Sequence, residues 1–292
     1  MKLLTYRHGL GARPGLALTA DIGLDLLAID PGLPTRWNEL FDHLERVRQL
    51  LSTLWRERVD VSPQAPLFDL TSVSLLPPIQ QPSKIIAVGR NYRDHAEEQH
   101  AKIPQAPLLF SKAPSCLQGH GGPIVLDEEL DRVDAEAELA VVIGRAGRNV
   151  PREQARDYIA GYTCFNDVSD RAAQFADKQW FRGKSIDTGG PCGPWIVTPD
   201  ELPDLATGLD ICCRWNDQVM QSSNTRQLIF PVDELISYAS RHMTLLPGDI
   251  IATGTPAGVG VFREPPVFLR PGDVVEVEIA AIGKLTNPVI TA

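Results

Sequence analysis

Three carboxylates carry the strongest chemical signal in this 292-residue chain. In DAEAELAVVIG a strand of period two sets Glu136 and Glu138 on one face and turns Ala137, Leu139, Val141 and Ile143 to the other, where a core can cover them. Side by side and unpaired, two carboxylates repel each other and resist desolvation, so they ask for a cation, a basic partner or water. Taken alone, the pattern fits a solvated strand face better than a site. Asp167 shifts the balance, because it follows the apolar run YIAGYTCFN and opens the polar segment SDRAAQ, where a strand gives way to a loop and an acid can face a pocket. Three oxygen donors without clustered His or Cys suit a hard divalent ion, Mg2+ or Mn2+, with water and substrate completing an octahedral set.

Other residues offer proton transfer and anion binding. His95 and Glu98 stand three apart in YRDHAEE, so on a helical turn they share a face and the carboxylate can orient the imidazole. Lys184, in the Gly-flanked RGKS, can aim an ammonium at a developing oxyanion. TGTPAG has the residues of a tight turn, whose backbone N–H groups and Thr255 hydroxyl can bind a carboxylate, although a plain turn explains the glycines equally well. His120, flanked by glycines in CLQGHGG, reads as a solvent-facing turn residue. PAGVG lacks dinucleotide-loop spacing, and neither GxxxxGK[ST] nor GxSxG occurs.

The elements that must position these groups are mostly strands. After residue 80 short apolar runs alternate with turns (KIIAVG, PLLF, PIVL, AELAVVIG, YIAGYTCF, CGPWIV, LDICCRW, GDIIATG, PPVFL and DVVEVEIAAIG), and helices are predicted only over 92–100, 151–159, 170–178 and 231–241, the last with Pro231 in its first turn. So few helices favour a β-rich roll or barrel over a parallel α/β sheet. Before residue 80, two or three short strands ending in LDLLAID precede an amphipathic helix over 36–57, with apolar positions Trp37, Leu40, Phe41, Leu44, Val47, Leu50, Leu51 and Leu54. Prolines 63, 66, 77, 78 and 82 then argue against a continuous helix or central strand and place a domain boundary near residue 80, giving units 1–80 and 81–292.

A net charge of -9 argues against a nucleic-acid surface, and the Arg-rich run from Arg46 to Arg58 reads as the solvated face of its helix. Five cysteines in no metal-binding spacing suggest a reducing compartment, and no run reaches the ~20 apolar residues of a membrane span. With no signal-peptide pattern at the start, the expected location is cytoplasmic.

Several strings, in matching order, resemble the fumarylacetoacetate hydrolase family: VGRNYRDHAEE (88–98), the ExE of AEAEL, NDVSDRAAQ (166–174), RGKSIDTGGPCGPW (182–195), QSSNTRQLIFPVDELI (221–236) and IATGTPAGVG (251–260). The resemblance covers residues 84–292 and implies a β-rich α+β fold, a mixed β-sandwich roll behind a small N-terminal α/β domain, usually homodimeric. It implies one Mg2+ or Mn2+ on Glu136, Glu138 and Asp167, catalysis by His95, Glu98 and Lys184 with the His–Glu pair on a lid, and substrate contacts from Gln174, Arg171 and Thr255; Arg171 could equally be a structural partner of the acids. The expected reaction is hydrolysis of a carbon–carbon bond in a 2,4-dioxo acid (an acylpyruvate or fumarylpyruvate). The alternatives are oxaloacetate decarboxylation or tautomerisation, isomerisation of a 2-hydroxy-dienoate, and a non-catalytic member that retains the fold. Ala172 and the Gln118–His120 segment depart from the family pattern and put substrate preference near them in doubt.

Overall fold

The computed structural model describes residues 1–56 and 66–292, with the side chains of 54–56 outside it, so the predicted roles of Leu54, Arg58 and Pro63 lie outside the described residues. The fold is a strand-rich α+β architecture. Its principal sheet runs, in spatial order, through Leu67–Asp69, Ile22–Asp25, Gly11–Ala17, Lys2–His8, Gly190–Val197, Ile159–Asn166, Ala137–Ile143, Ile250–Ala252, Ile85–Gly89 and Leu108–Lys112. A second sheet is built from Gln218–Asn224, Asp210–Trp215, Val274–Ile279, Gly283–Thr291 and Ile124–Leu126. The N-terminal strands join the principal sheet directly, Lys2–His8 pairing antiparallel with Gly190–Val197. The proposed boundary near residue 80 therefore lies within a continuous sheet.

The strand Ala137–Ile143 is covered on both faces. Ala137, Leu139, Val141 and Ile143 pack toward the second sheet with Ile211, Val277 and Leu285, whereas Ala140 and Val142 pack with Trp37, Leu40 and Val47 of the N-terminal helical region. Glu136 and Glu138 share the face of Ala140 and Val142, as period two requires, and occupy its end. Opposite, Ala137 pairs with Asn166, so the next residue, Asp167, donates its N–H to the Glu136 carbonyl at 2.9 Å.

Several local expectations change. The helix over 36–57 is broken into Trp37–Leu40, a 3-10 turn at Phe41–His43, and Leu44–Arg56. LDLLAID is a strand only as far as Asp25, whose carboxylate caps the N–H groups of Leu27 and Ala28 and starts a single helical turn at Leu26–Ile29. The segment 151–159 is a 3-10 helix, Arg152–Tyr158, and Pro231 caps Val232–Ser240 from just outside it. PPVFL forms no strand, since Pro265 and Pro266 bring no N–H to a ladder. Arg46 and Arg48 are half-exposed and pair with Asp30 and Asp200, as a solvated helix face would.

Trp37 ties the helical layer to the sheet: it is 1% exposed, and its indole N–H donates to the Leu4 carbonyl at 2.8 Å. Trp37→Ala is expected to destabilise the protein by about 3–5 kcal/mol, from lost burial and an unfilled cavity. Denaturant unfolding followed by circular dichroism measures it, and a loss below about 1 kcal/mol would show that the layer is not coupled to the sheet.

Candidate active site

The carboxylates of Glu136, Glu138 and Asp167 converge, each offering one oxygen within 4.8 Å of the others. All three are buried, at 6%, 1% and 0% exposure, which rules out a solvated strand face. Glu136 and Glu138 line the floor of a cavity of about 250 Å3, with Asp167 buried next to them, and its wall includes His95, Gln99, Phe110, Arg171, Gln174, Lys184 and Thr255, with Arg90, Phe175, Trp180 and Phe262 also lining it.

A fourth buried acid organises this floor. Asp134, one step earlier in the same period-two run, accepts from Arg171 Nε and Nη2 at 3.0 and 2.7 Å and from the N–H groups of Ala135, Gly260 and Val261. The Arg171 guanidinium, so fixed, reaches Glu136 Oε1 with Nη1 at 2.7 Å and Gln174 Oε1 at 2.9 Å. Of the two roles open to Arg171, the structure displays that of partner to the carboxylates. Lys184, from the short helix Phe181–Lys184, bridges Glu136 Oε2 at 2.6 Å and Asp167 Oδ2 at 2.7 Å. Behind Asp167 stands a second lysine, Lys112, fully buried, with Nζ 2.8 Å from Asp167 Oδ1 and bonded to the carbonyls of Val168, Lys184 and Gly189.

His95 and Glu98 lie on the short helix Arg93–Glu98 and meet as their spacing predicts, with Nδ1 2.8 Å from Glu98 Oε2. The imidazole is 5% exposed, and its Nε2 lies 2.6 Å from the amide of Gln99. Glu98 is held from the other side by the Gly258 N–H at 2.8 Å.

The TGTPAGVG loop behaves differently from the expectation of a substrate cradle. Thr255 lines the cavity, but its hydroxyl donates to the Ala137 carbonyl and accepts from Gln221, while Gly254 N donates to Glu138 Oε2 at 2.9 Å. These groups are taken up by the protein's own site. His120 is also not a free turn residue: it is half-buried and accepts the Thr286 N–H at Nδ1, in a groove lined by Trp195 and Lys284 and not in the carboxylate cavity. Gln118 closes its own turn through Gly119 and Pro123, and Ala172 is exposed outside the cavity lining.

Asp134, Lys112, Gln99 and Gln221 went unnoticed in the sequence. Asp134 had a signal, since 134, 136 and 138 continue one period-two row of acids. Lys112 merely ends the run LLFSK, and nothing there distinguishes it from a surface lysine.

Charge explains the chemistry of the floor. Four buried acids face three buried cations, and Glu138 has no basic group within ion-pair distance among the described residues. Burial, with the neighbouring charges of Asp167 and Glu136, raises its pKa well above the usual carboxylate range. Burial opposes ionisation of Glu136 too, but Lys184 and Arg171 outweigh it and hold that acid far below the usual range. Asp167 Oδ1 has no hydrogen-bond donor, Lys112 standing off the direction of one. A carboxylate without a counter-charge, beside a buried carboxylate oxygen that accepts no well-directed hydrogen bond, in an all-oxygen set, fits a hard divalent cation.

A strand-rich fold thus gathers buried acids, a positioned His–Glu pair and a lysine around one small cavity, with three carboxylates that could hold a metal ion. The fumarylacetoacetate (FAA) hydrolase C-terminal family matches residues 84–290, and the chain belongs to this family. An oxaloacetate tautomerase, mitochondrial, of Xenopus laevis is 42% identical over 99% of this chain and 90% of its own length. The solved 5-carboxymethyl-2-hydroxymuconate delta-isomerase from Mycobacterium smegmatis is 36% identical with a TM-score of 0.77, covering 100% of this chain and 99% of its own. The fumarylacetoacetate hydrolase from psychrophilic Exiguobacterium antarcticum is 35% identical with a TM-score of 0.83, both chains covered in full.

Metal binding at the three carboxylates is expected to be accompanied by proton release, because a cation beside Glu138 favours the ionised form that burial and the neighbouring acids disfavour. Affinity therefore rises with pH until Glu138 ionises unaided, then levels off. Calorimetric titration of Mg2+ or Mn2+ in buffers of different ionisation enthalpy counts the proton; a count of zero contradicts this account of Glu138.

Proposed function

We propose that the chain is a divalent-cation-dependent keto–enol tautomerase of a 2-oxo dicarboxylic acid, oxaloacetate. The observation that carries this reading is the enclosed His95, braced by Glu98 and facing a cavity smaller than the ~300–1,000 Å3 of drug-sized ligand sites. A small acid that only gains and loses a proton suits such a space. The tautomerase relative, matched along 99% of this chain, supports the same choice.

In this reading Glu136, Glu138 and Asp167 would hold one Mg2+ or Mn2+, which would supply Lewis acidity toward the 2-oxo group. Glu98 accepts the Nδ1 proton of His95, so the lone pair lies at Nε2, which is met by the Gln99 amide at 2.6 Å; once substrate takes the place of that amide, Nε2 carries the proton between C3 and the 2-oxygen. Lys184, steadied by Glu136 and Asp167, presents positive charge where negative charge grows on the 2-oxygen. Gln174, its Oε1 held by Arg171, has no acceptor for its amide N–H groups among the described residues and can donate them to a substrate carboxylate. Thr255 supports Ala137 and Gln221 at the cavity wall.

Hydrolysis of a 2,4-dioxo acid is the second reading, and decarboxylation shares its metal-enolate step. The mouth favours hydrolysis to this extent: Phe175 and Phe262 are exposed there and offer an apolar surface to an acyl group. Among the described residues no helix is long and apolar enough to cross a membrane, and a cytoplasmic homodimer remains our proposal for the assembly, although the Xenopus relative is named as mitochondrial.

The deciding experiment adds the enol form of oxaloacetate to protein with Mg2+ and follows enol absorbance by stopped flow, with NMR of the products. Faster conversion to the keto form, with no carbon dioxide and no second acid, is expected. His95→Ala should lower kcat by about 10²–10⁴-fold. Two organic acids from an acylpyruvate, without acceleration of the oxaloacetate interconversion, would establish hydrolysis instead.

A further inference from the structure

Of the cations lining the cavity, Arg171 and Lys184 are committed to the buried carboxylates, whereas Arg90 has no side-chain hydrogen bond or ion pair among the described residues. Its backbone is nonetheless held with care. At φ 55° it occupies the left-handed region, unfavourable for a residue with a Cβ. The residues on either side are closely held. On one side Gly89 passes so close to Trp180 that an added Cβ would stand 2.6 Å from the ring. On the other, Asn91 is fully buried, donating to the Phe230 and Thr253 carbonyls at 3.0 and 2.8 Å and accepting the Phe230 N–H at 2.8 Å. An exposed arginine is thus fixed at the cavity wall on a backbone that its own preferences do not explain.

We infer that Arg90 selects substrates bearing a second carboxylate, by pairing its guanidinium with the acid group farthest from the buried carboxylate cluster. This rests on the proposed 2-oxo acid reaction and adds the group that distinguishes diacids from monoacids. The 2-oxo acid end belongs at the floor, beside Lys184 and the metal-type oxygen cluster. A four-carbon diacid bound that way directs its C4 carboxylate outward. Without a partner there, that charge would lose its hydration for nothing; a guanidinium offers two parallel N–H donors matched to it. Arg90 has no carboxylate to give up before binding, so the pair forms without breaking another. The substrate class is therefore the short 2-oxo dicarboxylates, and uncharged C3 substituents gain nothing from this residue.

The test uses the full chain loaded with Mn2+ and two probes that are not turned over: oxalate, which occupies the chelating end alone, and difluoro-oxaloacetate, which keeps both carboxylates but has no C3 proton to lose. Arg90→Gln should weaken difluoro-oxaloacetate about tenfold or more by calorimetry and leave oxalate within about twofold, and Arg90→Lys should recover part of the loss. Equal weakening of both probes, or of neither, overturns the assignment, as does wild-type protein that binds difluoro-oxaloacetate no more tightly than oxalate. Retained oxalate binding also shows that the variant is folded. If the probe contrast holds while oxaloacetate tautomers are not interconverted, the proposed reaction fails and Arg90 stands; if turnover is present without the contrast, the reverse follows.

Discussion

The structure turns on an excess of buried negative charge. Asp134, Glu136, Glu138 and Asp167 are packed at one end of a sheet where water is nearly absent, and an isolated ionised carboxylate in such surroundings is strongly disfavoured. Lys112, Lys184 and Arg171 offset most of this, each placed by a different element: the end of an edge strand, a four-residue helix, and the first turn after Asp170. Removing one member of such a set leaves another charge unpaired, so the acids and bases stand or fall together. The one acid left over, Glu138, leaves a negative charge that a divalent cation would offset.

Neutral donors complete the arrangement, and apart from the Ala135 N–H on Asp134 they come from a single loop. Gly254 donates to Glu138, Gly258 to Glu98, and Gly260 with Val261 to Asp134, so the 253–261 segment aligns the metal-type floor with the His–Glu pair. Glycine is required for two separate reasons at Gly258: its φ of 105° suits no side chain, and a Cβ would stand 2.2 Å from the Met220 carbonyl. The loop reads in sequence as an anion cradle, and physically it is one. The anions it cradles are the protein's own.

That difference shows where sequence reading reaches its limit. Strand period placed Glu136 and Glu138 together, and the buried face of Ala137 to Ile143 followed from the same rule. Spacing of three joined His95 to Glu98, and Asp167 was correctly assigned to a strand end. These are local regularities, and the backbone repeats them wherever they occur. Lys112, Gln221 and the occupant of each loop N–H were hidden because they depend on which strands pair, and the Ile250–Ala252 strand reaches Ala137–Ile143 across more than a hundred residues. The fate of LDLLAID was decided by Asp25, a side chain able to cap the following turn, against the strand preference of its neighbours.

A floor of this kind does not by itself choose a reaction. Removing a proton beside a 2-oxo group, moving it along a conjugated chain, and expelling an enolate from a 2,4-dioxo acid all place negative charge on the same oxygen, and all gain from the same lysine and the same hard cation. The tautomerase, isomerase and hydrolase to which this chain is similar share its fold while bearing different activities in their names. Selection among such reactions must therefore come from groups that the shared charge change does not involve: the size of the cavity, the aromatic edges of Phe175, Trp180 and Phe262, and the polarity opposite them. Those residues are free to vary without disturbing the charge balance beneath. The floor, where every acid depends on its neighbours, is not.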